Sequence, residues 1–207
     1  MSYLSILTII VLITFLSLSI WRLTDEIRTN SLWKKLKKIN LQTGEVFDPE
    51  MVKNLPEPVQ RFFLYSIKSG TVLQTTVELK MLGEISLGTK IHPGYLPMSA
   101  DQILSPSCGF IWKVSAGSGF NRLSGSDASH AHGSWSRFWL MGILPVARAG
   151  NNKDHFRSSF GRYISEAVFL LPGSMLPSEN ITWQEITNNI VRVTIKRGEL
   201  NQSIDLT

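Results

Sequence analysis

The sequence predicts an α+β protein: an N-terminal transmembrane helix, then a mainly antiparallel β-sheet body with two or more packed helices. Three observations predict it. From Leu4 to Trp21 there is no charged side chain. Beyond Thr71 apolar residues recur mostly with period two, the spacing of half-buried strands. Two stretches, 55–70 and 154–171, instead carry apolar residues at helical spacing.

The first run, LSILTIIVLITFLSLSIW, is 18 residues long. At about 1.5 Å per helical residue it just crosses a hydrocarbon core of roughly 30 Å. A cleaved signal peptide would carry a basic leader and small residues at its cleavage site. Here only Met1-Ser2-Tyr3 precedes the run, and it ends Ser19-Ile20-Trp21. A core helix would show a polar face, and this run has only scattered Ser and Thr. Residues 1–21 therefore read as a bilayer anchor, with Leu4–Trp21 in contact with lipid. Arg22, Arg28, Lys34, Lys35, Lys37 and Lys38 follow it, while the N-terminal side offers no Lys or Arg. Excess Lys and Arg stays on the cytoplasmic side, so the expectation is a single-pass protein of the cytoplasmic (inner) membrane with a cytoplasmic body.

Residues 22–54 read as a basic juxtamembrane helix and linker, and 55–207 as the α+β domain. In 31–39, SLWKKLKKI, Leu32, Trp33, Leu36 and Ile39 fall on one helical face and the lysines on the other. That pattern suits an interfacial helix resting Lys34, Lys35, Lys37 and Lys38 on anionic headgroups, or an ordinary solvated linker helix. Gly44 and Pro49 then mark a loop. A helix starts at Leu55-Pro56-Glu57-Pro58, buries Val59, Phe62, Phe63 and Ile67, and ends at Gly70.

Val77, Leu79 and Met81 alternate with polar partners, and Gly83 suggests a turn into Glu84–Lys90. Pro97–Leu104, Gly109–Ala116 and Gly119–Leu123 continue an antiparallel meander. Residues 127–153 fit a buried helix, a strand pair or a membrane-dipping segment. The helix 154–171 buries Phe156, Phe160, Tyr163, Ile164, Ala167 and Leu171, and Pro172 stops it. Ile181–Ile186 and Asn189–Arg197 read as strands. The alternation of Ser203–Thr207 reads as half a strand, so a longer, C-terminally incomplete domain is expected.

Composition removes some functions. The net charge of +5 suggests nucleic acid until it is partitioned. Residues 22–38 hold six basic and two acidic side chains, so the remainder is nearly neutral and no nucleic acid is expected. A single cysteine, Cys108, excludes an intrachain disulfide and a multi-cysteine zinc site. Asn180-Ile181-Thr182 and Asn201-Gln202-Ser203 match the glycosylation sequon, a pattern short enough to arise by chance.

Three long stretches carry a resemblance: LPEPVQRFFLYSI (55–67), DQILSPSCGFIWKV (101–114) and GRYISEAVFLLPGSMLPSENITWQEI (161–186). They are similar to an uncharacterised bacterial family whose members read close to LPEPVQRYLRYAL, PPGFVWDA and RYLAEAVWFPTALLPS, followed by a Trp-Glu strand. The resemblance covers about 55–207 and implies an α+β body with further strands after Thr207. The family's Gly-x-Gly and PPGF turns are replaced here by DASHAHGS (127–134) and PSCGF (106–110). No activity is implied by the resemblance.

Candidate chemistry is sparse. Asp127, His130 and His132 form a metal-like constellation, since residues two apart in an extended segment share a side. Arg162 and Glu166 lie four apart on the 154–171 helix, an ordinary pair or a charged lining to a cavity. Ser118 and Ser126 lack the frame of a nucleophile elbow, and no phosphate loop, dinucleotide fingerprint or H-E-x-x-H is present. Trp112, Trp139 and Phe160, with Arg162 and Glu166, are the expected ligand-binding set, the aromatics lining an apolar cavity. The expected function is a non-enzymatic module binding an apolar ligand or a partner at the membrane surface. The alternative is a hydrolase or metal-dependent enzyme using Asp127/His130/His132 or Arg162/Glu166.

Overall fold

The structure, a computed structural model, describes residues 2–39 and 44–207. It is α+β. An N-terminal helix, α1 (Tyr3–Lys38), precedes α2 (Glu57–Ser66), six strands, α3 (Lys153–Leu170) and three further strands. β1 (Val77–Ser86), β2 (Tyr95–Ser105), β3 (Gly109–Ala116), β4 (Leu123–His130), β5 (Gly133–Leu140) and β6 (Leu144–Gly150) form an antiparallel sheet in sequence order. β7 (Ile181–Thr187), β8 (Ile190–Arg197) and β9 (Leu200–Leu206) form a second one. Residues 40–43 of the expected linker lie outside the described residues.

α1 runs unbroken for 36 residues, about 54 Å at 1.5 Å per residue. It is long and apolar enough to cross a membrane, and no residue of its apolar window is buried. Its second half behaves differently. Asp25, Thr29 and Leu36, spaced by four and then seven residues and so on one helical face, are buried against the six-stranded sheet. Leu32, Trp33 and Ile39 pack with Leu36 on Ile103, Ile111, Ala128 and Trp135. The amphipathic face read as an interfacial surface thus meets protein: Trp33 lies beneath the Lys113 ammonium, 4.1 Å from its ring centroid. Lys37 reaches Glu78 at 2.8 Å.

The register shows why one face takes α1 and the other α3. Ile103 pairs Ile111, Ile111 pairs Ala128, and Ala128 pairs Trp135, giving one apolar row beneath α1. One residue along, Gln102, Trp112, Asp127 and Ser136 make a second row on the opposite face. There α3, α2 and the three-stranded sheet enclose the main core around Phe63, Phe110, Phe160, Tyr163, Ile164 and Val193. Part of the expected linker joins it: Phe47 and Val52 are buried there, and Phe47 N–H donates to Thr71 O at 2.8 Å.

Several boundaries differ from expectation. β1 continues through Gly83 to Ser86, because its pairing with β2 holds along the whole strand. Gly119–Asn121 is a short 3-10 turn, and the strand starts at Leu123. The ambiguous 127–153 segment is the end of β4 with β5 and β6. Its aromatic run Trp135, Phe138 and Trp139 sends side chains to both faces, which hid the period of two.

Candidate functional site

The two polar candidates meet, in part, on the α3 face. Arg162 donates to Asp127 Oδ2 and, through Nε at 3.0 Å, to Glu166 Oε1. The second Glu166 oxygen accepts from Gln102 Nε2 at 2.5 Å. Gln102 is 1% exposed, and its Oε1 has no partner among the described residues. The Arg162 guanidinium also lies over Phe110 and Trp112, 5.0 and 5.4 Å from their centroids. α3 supplies the two charges one turn apart, and the sheet row supplies Gln102, Trp112 and Asp127.

The network continues into Ser136 and His155. Ser136 Oγ donates to Asp127 Oδ1 at 2.8 Å and contacts His155 Nε2 at 3.0 Å. His155 Nδ1 meets Ser134 Oγ at 2.7 Å. Serine, histidine and aspartate are all present, but the order is wrong for acyl transfer. In a triad the histidine stands between serine and aspartate and takes the serine proton. Here Ser136 stands between them and donates its O–H to Asp127 as a hydrogen bond, so its oxygen accepts from His155 Nε2–H. Arg162 further neutralises Asp127. The arrangement docks α3 on the sheet and leaves no activated nucleophile.

The histidine pair lies elsewhere. Asp127 and His130, three apart on β4, point to opposite faces of the sheet. His130 Nδ1 accepts from the His132 backbone N–H at 3.2 Å, with ring centroids 6.1 Å apart. Both border a groove of about 850 Å³ beside α1 that Arg28, Lys35 and Arg197 also line and no carboxylate lines. Burial first, then the charges of His132, Lys35 and Arg197, push the His130 pKa below 6.5. So cationic a wall repels a metal ion. Among the described residues no three His, Cys, Asp or Glu side chains gather as a metal site. The Asp127/His130/His132 constellation is therefore not assembled.

The aromatic set also divides. Trp112 joins Arg162, and Phe160 is buried in the main core. Beside Phe160 a cavity of about 340 Å³ opens, lined by Ile164, Met175, Ile181 and Ile195, by the polar Thr75, Ser178 and Asn180, and by Lys196 and Arg197. Trp139 lies on the other face and meets α1. Its indole N–H donates to Asp25 Oδ2 at 3.2 Å, and its ring is edge-on to Trp21 at 5.6 Å.

Asp25 is the residue that sequence reading missed. It is 5% exposed, and β5 and β6 hold Arg137 directly opposite Arg148. Both arginines reach its carboxylate, Arg137 at 3.1 Å and Arg148 at 2.5 and 3.1 Å. Two cations facing each other across a strand pair repel unless an anion joins them. Asp25 is that anion, delivered by the helix that leaves the apolar run four residues earlier. The only signal in the sequence is an acid within an otherwise basic juxtamembrane stretch.

The model of a family of unknown function, DUF6544, matches residues 45–207. The chain belongs to that family. No curated protein and no solved structure matches this chain. The DUF6544 match includes the Gln102–Asp127–Arg162–Glu166 network, Arg137, Arg148 and the Phe160 cavity, and it begins after α1. Asp25, which joins α1 to the DUF6544 sheet, lies outside it.

Proposed function

We propose that this chain is a single-pass membrane-anchored, non-enzymatic module whose body binds an apolar ligand close to the membrane surface. The observation that carries it is the cavity at Phe160, Ile164, Met175, Ile181 and Ile195. Its size falls within the few hundred Å³ of small-molecule sites, and its lining joins these apolar side chains to hydroxyls such as Thr75 and Ser178 and to the cations Lys196 and Arg197. An amphiphile with an anionic head fits that lining: chain against the isoleucines, head toward Lys196 and Arg197. The polar network favours binding over catalysis, because its serine, acids and arginine are paired with one another.

Anchoring by Leu4–Trp21 is supported by the exposure of that half of α1. A cleaved leader would carry small residues at its cleavage site, and the run ends instead in Ser19-Ile20-Trp21. The lysines at 34, 35, 37 and 38 follow Trp21 by about 20 Å or more of helix axis. They act on anionic headgroups as a distant field, screened beyond roughly 10 Å at ordinary ionic strength, and residence on the cytoplasmic side rests on the charge rule alone.

Native mass spectrometry of the full chain, released from nanodiscs, tests the reading. A retained lipid-like mass is expected, and Ile181→Trp, which fills the cavity, removes it. A bare chain, or a ligand that persists in Ile181→Trp, overturns it.

A further inference from the structure

The end of the six-stranded sheet nearest the apolar half of α1 carries exposed apolar side chains that none of the described residues covers. Arg22, the first charge after the apolar run, donates to Ser124 Oγ at 3.2 Å and pairs with Glu26 at 2.9 Å. Its guanidinium also lies against Gly142. Trp21 touches Trp139 and stacks under Arg148, 4.5 Å from its centroid. From there α1 crosses the sheet to Leu36, beside Ile103 and Trp135 at the opposite end. The start of β4 and the β5–β6 turn therefore stand level with the point where the apolar run stops.

Three connections leave that end of the sheet, and the two nearest Arg22 are the β3–β4 loop and the β5–β6 turn. In the β3–β4 loop, Phe120 is 85% exposed at the tip of a short turn between Gly119 and Asn121. In the β5–β6 turn, Met141 and Leu144 are exposed at 38% and 43%. The loops are tied together: Met141 N–H donates to Arg122 O at 2.8 Å. Met141 and Gly142 have φ of 52° and 75°, and Ile143 N–H closes the turn on Leu140 O at 3.1 Å. Such a two-residue turn, with both central φ positive, favours Asn or Gly at the first position. Methionine there serves neither turn geometry nor the core. Its use is on the outside.

We propose that Phe120, Met141 and Leu144 insert into the leaflet from which α1 emerges, giving the body a second, non-spanning contact with the bilayer. Large apolar and aromatic side chains on loop tips partition into the headgroup–acyl boundary, and Trp21 beside them, itself exposed, suits the same depth. The occupant is lipid because the surface is continuous with the apolar surface of α1, where Ile20, Leu23 and Ile27 are also exposed. The proposal rests on anchoring by α1 but is independent of the ligand cavity.

Nitroxide labels on the full chain in nanodiscs test it, in a Cys108→Ser background. Labels are placed at Phe120→Cys and Leu144→Cys, at Leu12→Cys in the apolar run, and at Ala131→Cys on the opposite end of the sheet. All four side chains are outside the buried core, so folding is retained. Labels at 120 and 144 should be open to oxygen and severalfold less open to a water-soluble nickel chelate than the label at 131. Nickel access at 120 and 144 equal to that at 131, with the label at 12 shielded in lipid, overturns the insertion and leaves the anchor standing. Nickel access at 12 as well removes the anchor and the insertion together. Labels at 120 and 144 closed to both oxygen and nickel place the loops against protein and also overturn it.

Discussion

Asp25 joins α1 to β5 and β6 through a buried carboxylate. Its carboxylate neutralises two arginines that β5 and β6 place opposite each other, and it accepts from the Trp139 indole as well. Removing one member of a buried ion pair leaves an uncompensated charge and costs about 3–5 kcal/mol. Asp25→Ala should therefore unfold at much lower denaturant concentration, and adding Arg148→Met should recover part of the loss. His130 gives a pH signature. Its pKa is depressed in the folded chain, so below its ordinary value of 6.5 the unfolded chain binds more protons than the folded one. Stability should fall as pH drops through 6.5 toward the folded value, and His130→Gln should flatten that stretch of the stability curve. Little of this was legible from residues taken singly. Asp127, His130 and His132 looked like one cluster because spacing was read without the strand's exact extent, and parity on β4 separates the acid from the first histidine.

Among the elements, α3 was the most legible and its docking the least. Its length, its apolar stripe and the Arg162–Glu166 pair all follow from helical spacing within 153–171. Its partners on the sheet do not, because Gln102, Asp127 and Ser136 become neighbours only through strand register. Arg162 bridges two carboxylates at once, so Arg162→Ala should cost about 1–3 kcal/mol, measured by chemical denaturation. Lysine, a point charge without the fork, should not restore it. The amphipathic stretch 31–39 was read correctly as a helix with an apolar face, but sequence does not say which apolar surface the face meets. Here the face packs on the sheet and covers Ile103, Ile111, Ala128 and Trp135. The 127–153 segment resisted reading because aromatics on both faces of β5 mask its alternation.

For the whole molecule, the DUF6544 match and the folding unit have different limits. The match begins at residue 45, yet the row Ile103–Ile111–Ala128–Trp135 is buried by α1. A chain beginning at Gly44 should expose that row and aggregate, whereas one beginning at Arg22 should remain soluble and cooperative, as size-exclusion chromatography and thermal unfolding would report. The fold class was legible because periodicity changes so clearly along the chain. The division into two sheets was not, since nothing in the spacing of β7, β8 and β9 distinguishes them from further strands of the same meander.

The unbroken α1 has a mechanical consequence. It has no glycine or proline along its length, and its second half is locked to the sheet by Asp25, Thr29 and Leu36. Span and body therefore turn together as the two arms of a rigid lever. With the anchoring we propose, a bilayer thinner than the apolar run tilts a spanning helix, and the tilt reaches the sheet through Asp25, Thr29 and Leu36. Bilayer thickness then becomes, for the anchored chain we propose, a quantity that the sheet registers.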